Sequence, residues 1–564
     1  MSTKLLKPID GVEKLSTDCW QLIFNYLNND DLEAVSLVCK DFLAISNFVK
    51  KSLKVNRPEV DILSQHLKRF TQLKRIDFSE FRGDFEEAIR QVARSGLCLE
   101  TLDTCPKTGF KNEGLIELGS NPNMKNLKVL NCYETVLQDN DLVVIANFFP
   151  LLEELNMRRD YELIEAKGPT DHGIETLASK LTLLKRFYIQ GKHDLSDEAV
   201  VALSLNCVFL KDVTIHGSGS GITENGIGLL LRNRPNLELL SIGSIYKKQS
   251  STITIENSIS HAKCLTSLSF MHMDISDNLF LEISKAKLRL KNLELILCWN
   301  FTASGLLVVF SNYLTELCLL NNSYVEDMEL VLNGDVGNLT HILISPCQLT
   351  KSTMFLLPTK CPSLVEIKIE SFLPLHYGEL IAIDDEVDDL NLCLDHCDNI
   401  RNLYLPCFVF SEQLLQLFVI RFSNLKVLNL SYCCQVTSPC LEAILKSCKL
   451  ITELILEGYA QSMMIEANSE LPDLNLEVLD LWGSSIVDEG LVVVGKKCPK
   501  LLHLDLRHCE NVTIEGIRQT VQNIKTLTRL GMLDSENVII VNSWNGCYPQ
   551  ASSPLSGDSL FAEG

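Results

Sequence analysis

Apolar and polar positions along the chain recur as a fixed phrase. Leu-x-x-Leu-x-Leu is followed by a short gap carrying Cys or Asn, then a hydrophobic residue with Thr, Ser or Asp, then a Gly-Leu pair inside an amphipathic run. Residues 425–441 (LKVLNLSYCCQVTSPCL) and 501–517 (LLHLDLRHCENVTIEGI) carry it most cleanly. In the first of these, Leu428 and Leu430 face one side of a strand and Val427 and Asn429 the other, because side chains alternate with period two. Val436-Thr437 then brings a hydroxyl to a helix start, where it can accept from unpaired backbone N–H groups. Leu441, Ile444 and Leu445 follow at helical spacing on one face. Each copy therefore predicts one strand and one helix.

Marking the first apolar residue of each copy gives Leu73, Leu99, Leu127, Leu152, Leu184, Leu210, Leu237, Leu265, Leu293, Leu314, Leu339, Leu364, Ile400, Leu425, Ile451, Leu476, Leu501 and Leu527. The common step of 25 to 28 residues is that of an α/β leucine-rich-repeat solenoid, here of about 18 repeats spanning 73–541. No unit can bury its faces alone, so the units must stack. At one strand per unit, about 4.8 Å apart, the curved or ring-like stack offers an inner surface roughly 85 Å long. That is a binding surface rather than a pocket. Two steps are long: 32 residues after Leu152, with Arg158-Arg159-Asp160-Tyr161, and 36 after Leu364, with residues 371–379 and the acidic run 384–389. Such insertions fall in loops on one rim. The polar, small-residue stretch 542–564 reads as a disordered tail, while Val538 to Val541 is placed to finish the last repeat.

Residues 15–47 do not follow the repeat. Ser16 or Thr17 can cap a helix from Asp18 to about Leu27, with Trp20, Ile23, Phe24 and Leu27 as its apolar stripe. A second helix begins near Asp31 and a third apolar group lies at Phe42, Leu43 and Ile45. The basic residues 51–72 read as a helical connector to the first repeat, their Lys and Arg solvated.

The stretch resembles an F-box, with a domain span of 12–50. The matching residues are Leu15, Ile23-Phe24-x-Tyr26-Leu27, Asp31-Leu32, Ser36-Leu37-Val38-Cys39-Lys40-x-Phe42 and Asn47. It departs at Ser16, where the family usually has proline. The resemblance implies docking onto a Skp-type adaptor, and through it to a cullin and a RING subunit. Leu15, Ile23, Leu27, Leu32, Leu37, Val38 and Phe42 would divide between adaptor contact and a small helical core. The whole chain resembles F-box/leucine-rich-repeat proteins of the cysteine-containing type, and in plan the plant co-receptors for auxin and jasmonate. Those co-receptors hold an inositol polyphosphate on a floor of Arg and Lys. The converging cations that such a ligand needs are not at the strand positions here, so the resemblance covers architecture and not that ligand site. The implied function is the substrate-recognition subunit of a Skp-cullin-F-box ubiquitin ligase that directs bound proteins to degradation. Alternatives are a small-molecule-gated co-receptor and a repeat scaffold without ligase contact.

Composition narrows the partner. The 564 residues carry a formal net charge of −21, which argues against nucleic acid, whose phosphates need a basic footprint. It favours neutral or basic protein surfaces. The 21 cysteines are scattered through repeat positions, and MSTKLLKPIDGVEKLS lacks an apolar leader segment. Both features place the chain in a reducing cytoplasmic or nuclear compartment, and no apolar run is long enough for a membrane span. The outward strand positions are acidic at Asp77, Asp103, Glu154, Asp212, Glu316, Glu366, Glu453, Asp480 and Asp505, and basic at Arg75, Arg186, Lys368 and Arg529. Val129, Tyr188, Leu239, Leu295, Tyr404, Val427 and Val478 are interleaved as apolar or aromatic anchors. Candidate substrate contacts are Glu154, Tyr188, Asp212, Glu316, Glu366, Tyr404, Glu453, Asp480 and Asp505. No phosphate-cradling glycine loop or nucleophile elbow is present, and Cys393 to Cys397 lacks the second ligand pair of a zinc site. No catalytic set, metal or cofactor is expected, so ubiquitin transfer would fall to partner subunits.

Overall fold

The computed structural model describes residues 15–55, 60–104, 112–133, 135–158, 168–217, 221–243, 253–310, 313–322, 331–345, 351–370, 381–382, 397–409, 412–433, 436–458, 472–531 and 538–540. Residues 159–167, 371–379, 384–389, 393–396 and 542–564, which carry the loop, acidic-run, cysteine-cluster and tail expectations, lie outside them. The chain divides into two compact units, Met1–Val309 and Phe310–Gly564. Among the described residues no helix is long and apolar enough to cross a membrane.

The first unit opens with three helices, α1 (Thr17–Phe24), α2 (Asn29–Ser36) and α3 (Lys40–Val49). Ser16, standing where the resemblance would place proline, caps α1: its hydroxyl accepts from the Cys19 N–H at 3.3 Å. Asn28 caps α2 by accepting from the Asp31 N–H at 2.8 Å, so that helix starts before Asp31. Phe24, Leu32, Ile45 and Val49 form the core, with Trp20, Leu27, Val35 and Phe42 packed against it. The Trp20 and Phe42 ring centroids are 4.7 Å apart, and Phe24 meets Phe42 edge-on at 5.1 Å.

Among the described residues of this unit ten parallel strands follow, from Ser52–Lys54 to Asn292–Ile296, each paired in register with its sequence neighbour. One row of the register, Leu53, Ile76, Leu102, Leu130, Leu155, Phe187, Val213, Leu240, Leu268 and Leu293, is buried throughout. This row corrects two expectations. The stretch 51–72 is the solenoid's first unit rather than a connector: Ser52–Lys54 pairs with Arg75–Asp77, and the helix Val60–Arg69 buries Leu63 and Leu67. The sequence hides it because Lys50 takes the place of the first leucine; its ammonium lies over the Phe70 ring at 5.0 Å. Leu293 is not a first mark, since it pairs with Leu268, the second apolar residue of its own copy. The mark belongs to Leu290, which is 1% exposed. The outward residues of that strand are thus Asn292 and Glu294, and Leu295 is buried core.

Among the described residues, the second unit contributes a separate parallel pair, Ile381–Ala382 with Phe408–Val409, and nine parallel strands to its main sheet, from Glu316–Leu320 to Arg529–Gly531. Val538–Ile540 adds to the last of them, but antiparallel, so it closes the sheet rather than continuing the repeat.

Neighbouring repeats are joined on the helix side by a recurring carboxylate clamp. The first helical residue of one repeat, an aspartate, takes both the backbone N–H and the hydroxyl of the Ser or Thr that caps the next helix. Asp139 holds Thr170 at 2.8 and 2.6 Å, Asp171 holds Ser196 at 2.7 and 2.6 Å, and Asp197 holds Thr223 at 2.7 and 2.7 Å. Asp277 does the same for Thr302, at 2.8 and 2.8 Å, and Asp488 for Thr513, at 2.8 and 2.5 Å. Four of these sites have glycine as the third residue of the next helix, Gly173, Gly226, Gly305 and Gly516, where a Cβ would meet the aspartate. Ala199 fills the fifth.

The repeat cysteines act as donors across the same joints. The thiols of Cys298, Cys433 and Cys509 donate to the carbonyls of Phe270, Leu405 and Leu481 in the preceding repeat, at 3.3, 3.1 and 2.9 Å. Burial pushes the thiols of Cys132, Cys207, Cys298, Cys361 and Cys498 up to about 12. A thiol held protonated in this way is a poor nucleophile.

Asp197→Ala leaves the N–H and hydroxyl of Thr223 without their acceptors and is expected to cost about 1–3 kcal/mol in urea denaturation. Thr223→Ala added to that variant should cost much less than it does alone, because the two residues act as one pair.

Candidate functional site

Two surfaces are placed for recognition: an apolar patch on the three helices, and the sheet face opposite the helical layer.

On the helices, Leu22 is 66% exposed, Tyr26 91%, Leu37 83% and Val38 68%, with Leu15 and Ile23 also exposed. The other expected adaptor residues lie elsewhere. Leu32 belongs to the core, and Leu27 and Phe42 are partly buried against it. Of the seven, Leu32 thus falls on the core side of the expected division, clustered with Phe24 and Ile45. Leu22 and Tyr26 are not among the seven expected contacts because they stand off the stripe that fills the core. Helix spacing leaves Leu22 next to Ile23 and Tyr26 on the outer side.

On the sheet face of the first unit, Glu154, Arg186 and Asp212 stand side by side in register. Arg186 donates from Nε to Glu154 at 2.6 Å. Asp212 is half-buried, and burial raises its carboxyl above the ordinary range against the pull of Arg186. Tyr188 lies under the Arg158 guanidinium at 4.6 Å, and burial followed by the charge of Asp212 pushes its phenol up to about 12. Arg75 pairs with Asp103 at 2.7 Å, and Asn131 donates to the same carboxylate. Further along, Thr214, His216, Ser241 and Ser269 are buried. His216 Nε2 is 2.8 Å from the Ser241 hydroxyl, and burial lowers the imidazole to about 4, so it stays neutral.

In the second unit Glu316, His341 and Glu366 share a row, with Glu316 exposed. Glu366 accepts from Asn402 at 2.9 Å and pairs with Lys368 at 3.1 Å. Burial works to raise its carboxyl, but these two partners outweigh it and hold it low. Lys368 also lies over the Tyr404 ring at 4.7 Å. Glu453, Asp480 and Asp505 occupy the next strands. Asp505 is gripped by Arg507, from Nε and Nη2, at 2.9 and 2.6 Å. Asp480 accepts from the backbone N–H of Trp482 at 3.0 Å.

The structure adds a third outward position to each strand, two residues past the second: Arg158, His216, Glu457, Trp482 and Arg507. Extending the period-two alternation by one step would have found them. Burial first, then Asp480 and Asp505, raise the carboxyl of Glu457. Burial first, then Asp505, raise that of Asp480, against the Trp482 N–H.

No family profile matches the chain. The chain is similar to F-box/LRR-repeat protein 23 of Arabidopsis thaliana, 30% identical over 132 residues that cover 22% of this chain and 29% of that protein. Two solved leucine-rich structures share 14% identity each. An internalin (inlF) from Listeria monocytogenes has a TM-score of 0.31 over 80% of this chain and 95% of that one. The TLR13–ssRNA13 complex has a TM-score of 0.33 over 78% and 66%. The repeat architecture rests on the register and clamps above, not on these two likenesses.

The raised carboxyl of Asp480 carries a pH signature. A carboxylate whose folded pKa lies above its unfolded value weakens the fold at neutral pH, and the penalty lifts as pH falls through the folded pKa. Asp480→Asn keeps the acceptor for Trp482 and is expected to melt higher than the parent at pH 7.5, by a margin that shrinks toward pH 4.5. Thermal melts across that range measure it.

Proposed function

We propose that this chain is the non-catalytic, substrate-recognition subunit of a Skp-cullin-F-box ubiquitin ligase. The observation that carries the reading is the exposure of Leu22, Tyr26, Leu37 and Val38, four large apolar side chains that a three-helix unit leaves open although its own core is only eight apolar side chains. A helical pair with its apolar side in water is stabilised when a partner surface covers it, and an exposed patch of this kind on a small module marks a protein contact. The F-box resemblance of residues 15–47 names the partner class, a Skp-type adaptor, and the similarity to the Arabidopsis F-box/LRR-repeat protein supports the same pairing of modules.

The mechanism is positioning. The helices fix the chain to the adaptor and, through it, to the cullin and RING subunits, while the repeat face holds a protein substrate. Substrate lysines then meet ubiquitin charged on a conjugating enzyme at high effective concentration. No residue of this chain takes part in the transfer chemistry.

Co-expression with a Skp-type adaptor is expected to yield a stable complex. Leu37→Asp combined with Val38→Asp, both at exposed sites, should lower adaptor affinity at least about 100-fold without shifting the melting temperature, since charge at a desolvated contact costs several kcal/mol. Adaptor capture by the double variant at parental affinity would rule this reading out.

A further inference from the structure

We propose that the sheet face of the second unit, around Glu453, Glu457, Asp480 and Trp482, is built to hold a lysine- or arginine-rich segment of another protein. The inference rests on the substrate-receptor reading and names the chemistry of its substrate.

The first observation is which charges on the sheet faces are already neutralised. Asp103 has Arg75, Glu154 has Arg186, Glu366 has Lys368 and Asp505 has Arg507, at 2.7, 2.6, 3.1 and 2.6 Å. Glu453, Glu457 and Asp480 form no ion pair among the described residues. They lie on two adjoining strands: Asp480 pairs with Ile455, which stands between Glu453 and Glu457 in sequence. All three are only partly buried, so their charges reach solvent. Arg507, the cation that partly offsets Glu457 and Asp480, is committed to both oxygens of Asp505.

A second, independent observation is the row of rings beside them. Trp482 follows Asp480 on the same face and meets His508 edge-on at 5.1 Å. Tyr432 is held at a φ of 58°, and its ring occupies the space that a Cβ on Gly458 would fill. Aromatic faces next to carboxylates attract Lys and Arg twice over, through cation–π contact and through charge. An acidic or phosphorylated segment would be repelled. A purely apolar one would strip water from the three carboxylates without replacing it. The net charge of −21 further draws a basic segment toward the chain. The first unit offers no equal to this place, because the matching stretch of its face, Thr214, His216, Ser241 and Ser269, is buried.

The test uses the full chain and a fluorescein-labelled decapeptide of alternating Arg and Ser, read by fluorescence anisotropy at physiological salt. A Glu/Ser peptide is the counter-probe. Binding of the Arg/Ser peptide is expected, weakening about tenfold in Glu457→Gln/Asp480→Asn and about threefold or more in Trp482→Leu. Glu198→Gln/Glu510→Gln removes the same formal charge from exposed positions elsewhere and should change affinity less than twofold. Equal losses in the two double variants, or equal binding of the Glu/Ser peptide, would overturn the proposal. Adaptor capture is measured on the same proteins. Failure of the parent chain to bind the Arg/Ser peptide with capture intact refutes the basic-segment site alone. Failure of the parent chain to capture the adaptor while it still binds the Arg/Ser peptide, or capture at parental affinity by Leu37→Asp/Val38→Asp, refutes only the ligase reading.

Discussion

Everything in this chain depends on repeats being unable to stand alone. A strand of three to five residues and a helix of about ten expose one apolar face each, and only a neighbour covers them. The sheet row from Leu53 to Leu293 supplies apolar burial between neighbours, while the aspartate clamp supplies direction. Asp197, for instance, leaves its own helix to satisfy the cap of the next one. A hydroxyl and an N–H captured by one carboxylate fix both the spacing and the rotation of successive helices, which burial alone leaves loose.

The clamp also explains why so many acidic side chains in this sequence have no bearing on recognition. Carboxylates on the helix side hold repeats together. On the sheet side, Asp103, Glu154, Glu366 and Asp505 are matched by a cation from the same or the adjoining strand. Among the sheet-side carboxylates without an ion pair in the described residues, Glu457 and Asp480 stand on adjoining strands, and burial followed by neighbouring carboxylates raises both. Charges that weaken a fold and have no internal partner are more informative about function than charges that are merely numerous.

Much of the architecture was legible because leucine spacing is a packing requirement: seventeen of the eighteen marks stand two residues before the strand they predict. The failures were local and physical. Lys50 hid the first strand, since a long side chain lying on the Phe70 ring can replace a buried leucine. The run Leu288-Arg289-Leu290-Lys291-Asn292-Leu293-Glu294-Leu295 alternates too regularly to show where its strand begins, and Leu295 was placed on the wrong face. The outward carboxylates were readable by alternation, yet their pairing was not. Whether a carboxylate is neutralised depends on a neighbour two residues along the strand or one repeat away, and on rotamers that sequence does not specify. The three-helix patch was half legible: Leu37 and Val38 stand out, but separating Leu32 from them required knowing which side of α2 turns inward.

The joint between α3 and the first strand is short and braced. Only Lys50 and Lys51 separate Val49 from Ser52. Arg69 donates to Asn47 across it at 2.8 Å, and Lys50 and Arg69 both lie over the Phe70 ring, at 5.0 and 5.1 Å. Such a joint behaves as a cantilever rather than a tether: a torque applied at the helices is carried into the first repeats instead of being lost in a hinge. Cargo held on those repeats would keep a fixed bearing to whatever the helices grip, so reach would be set by geometry and not by diffusion on a leash.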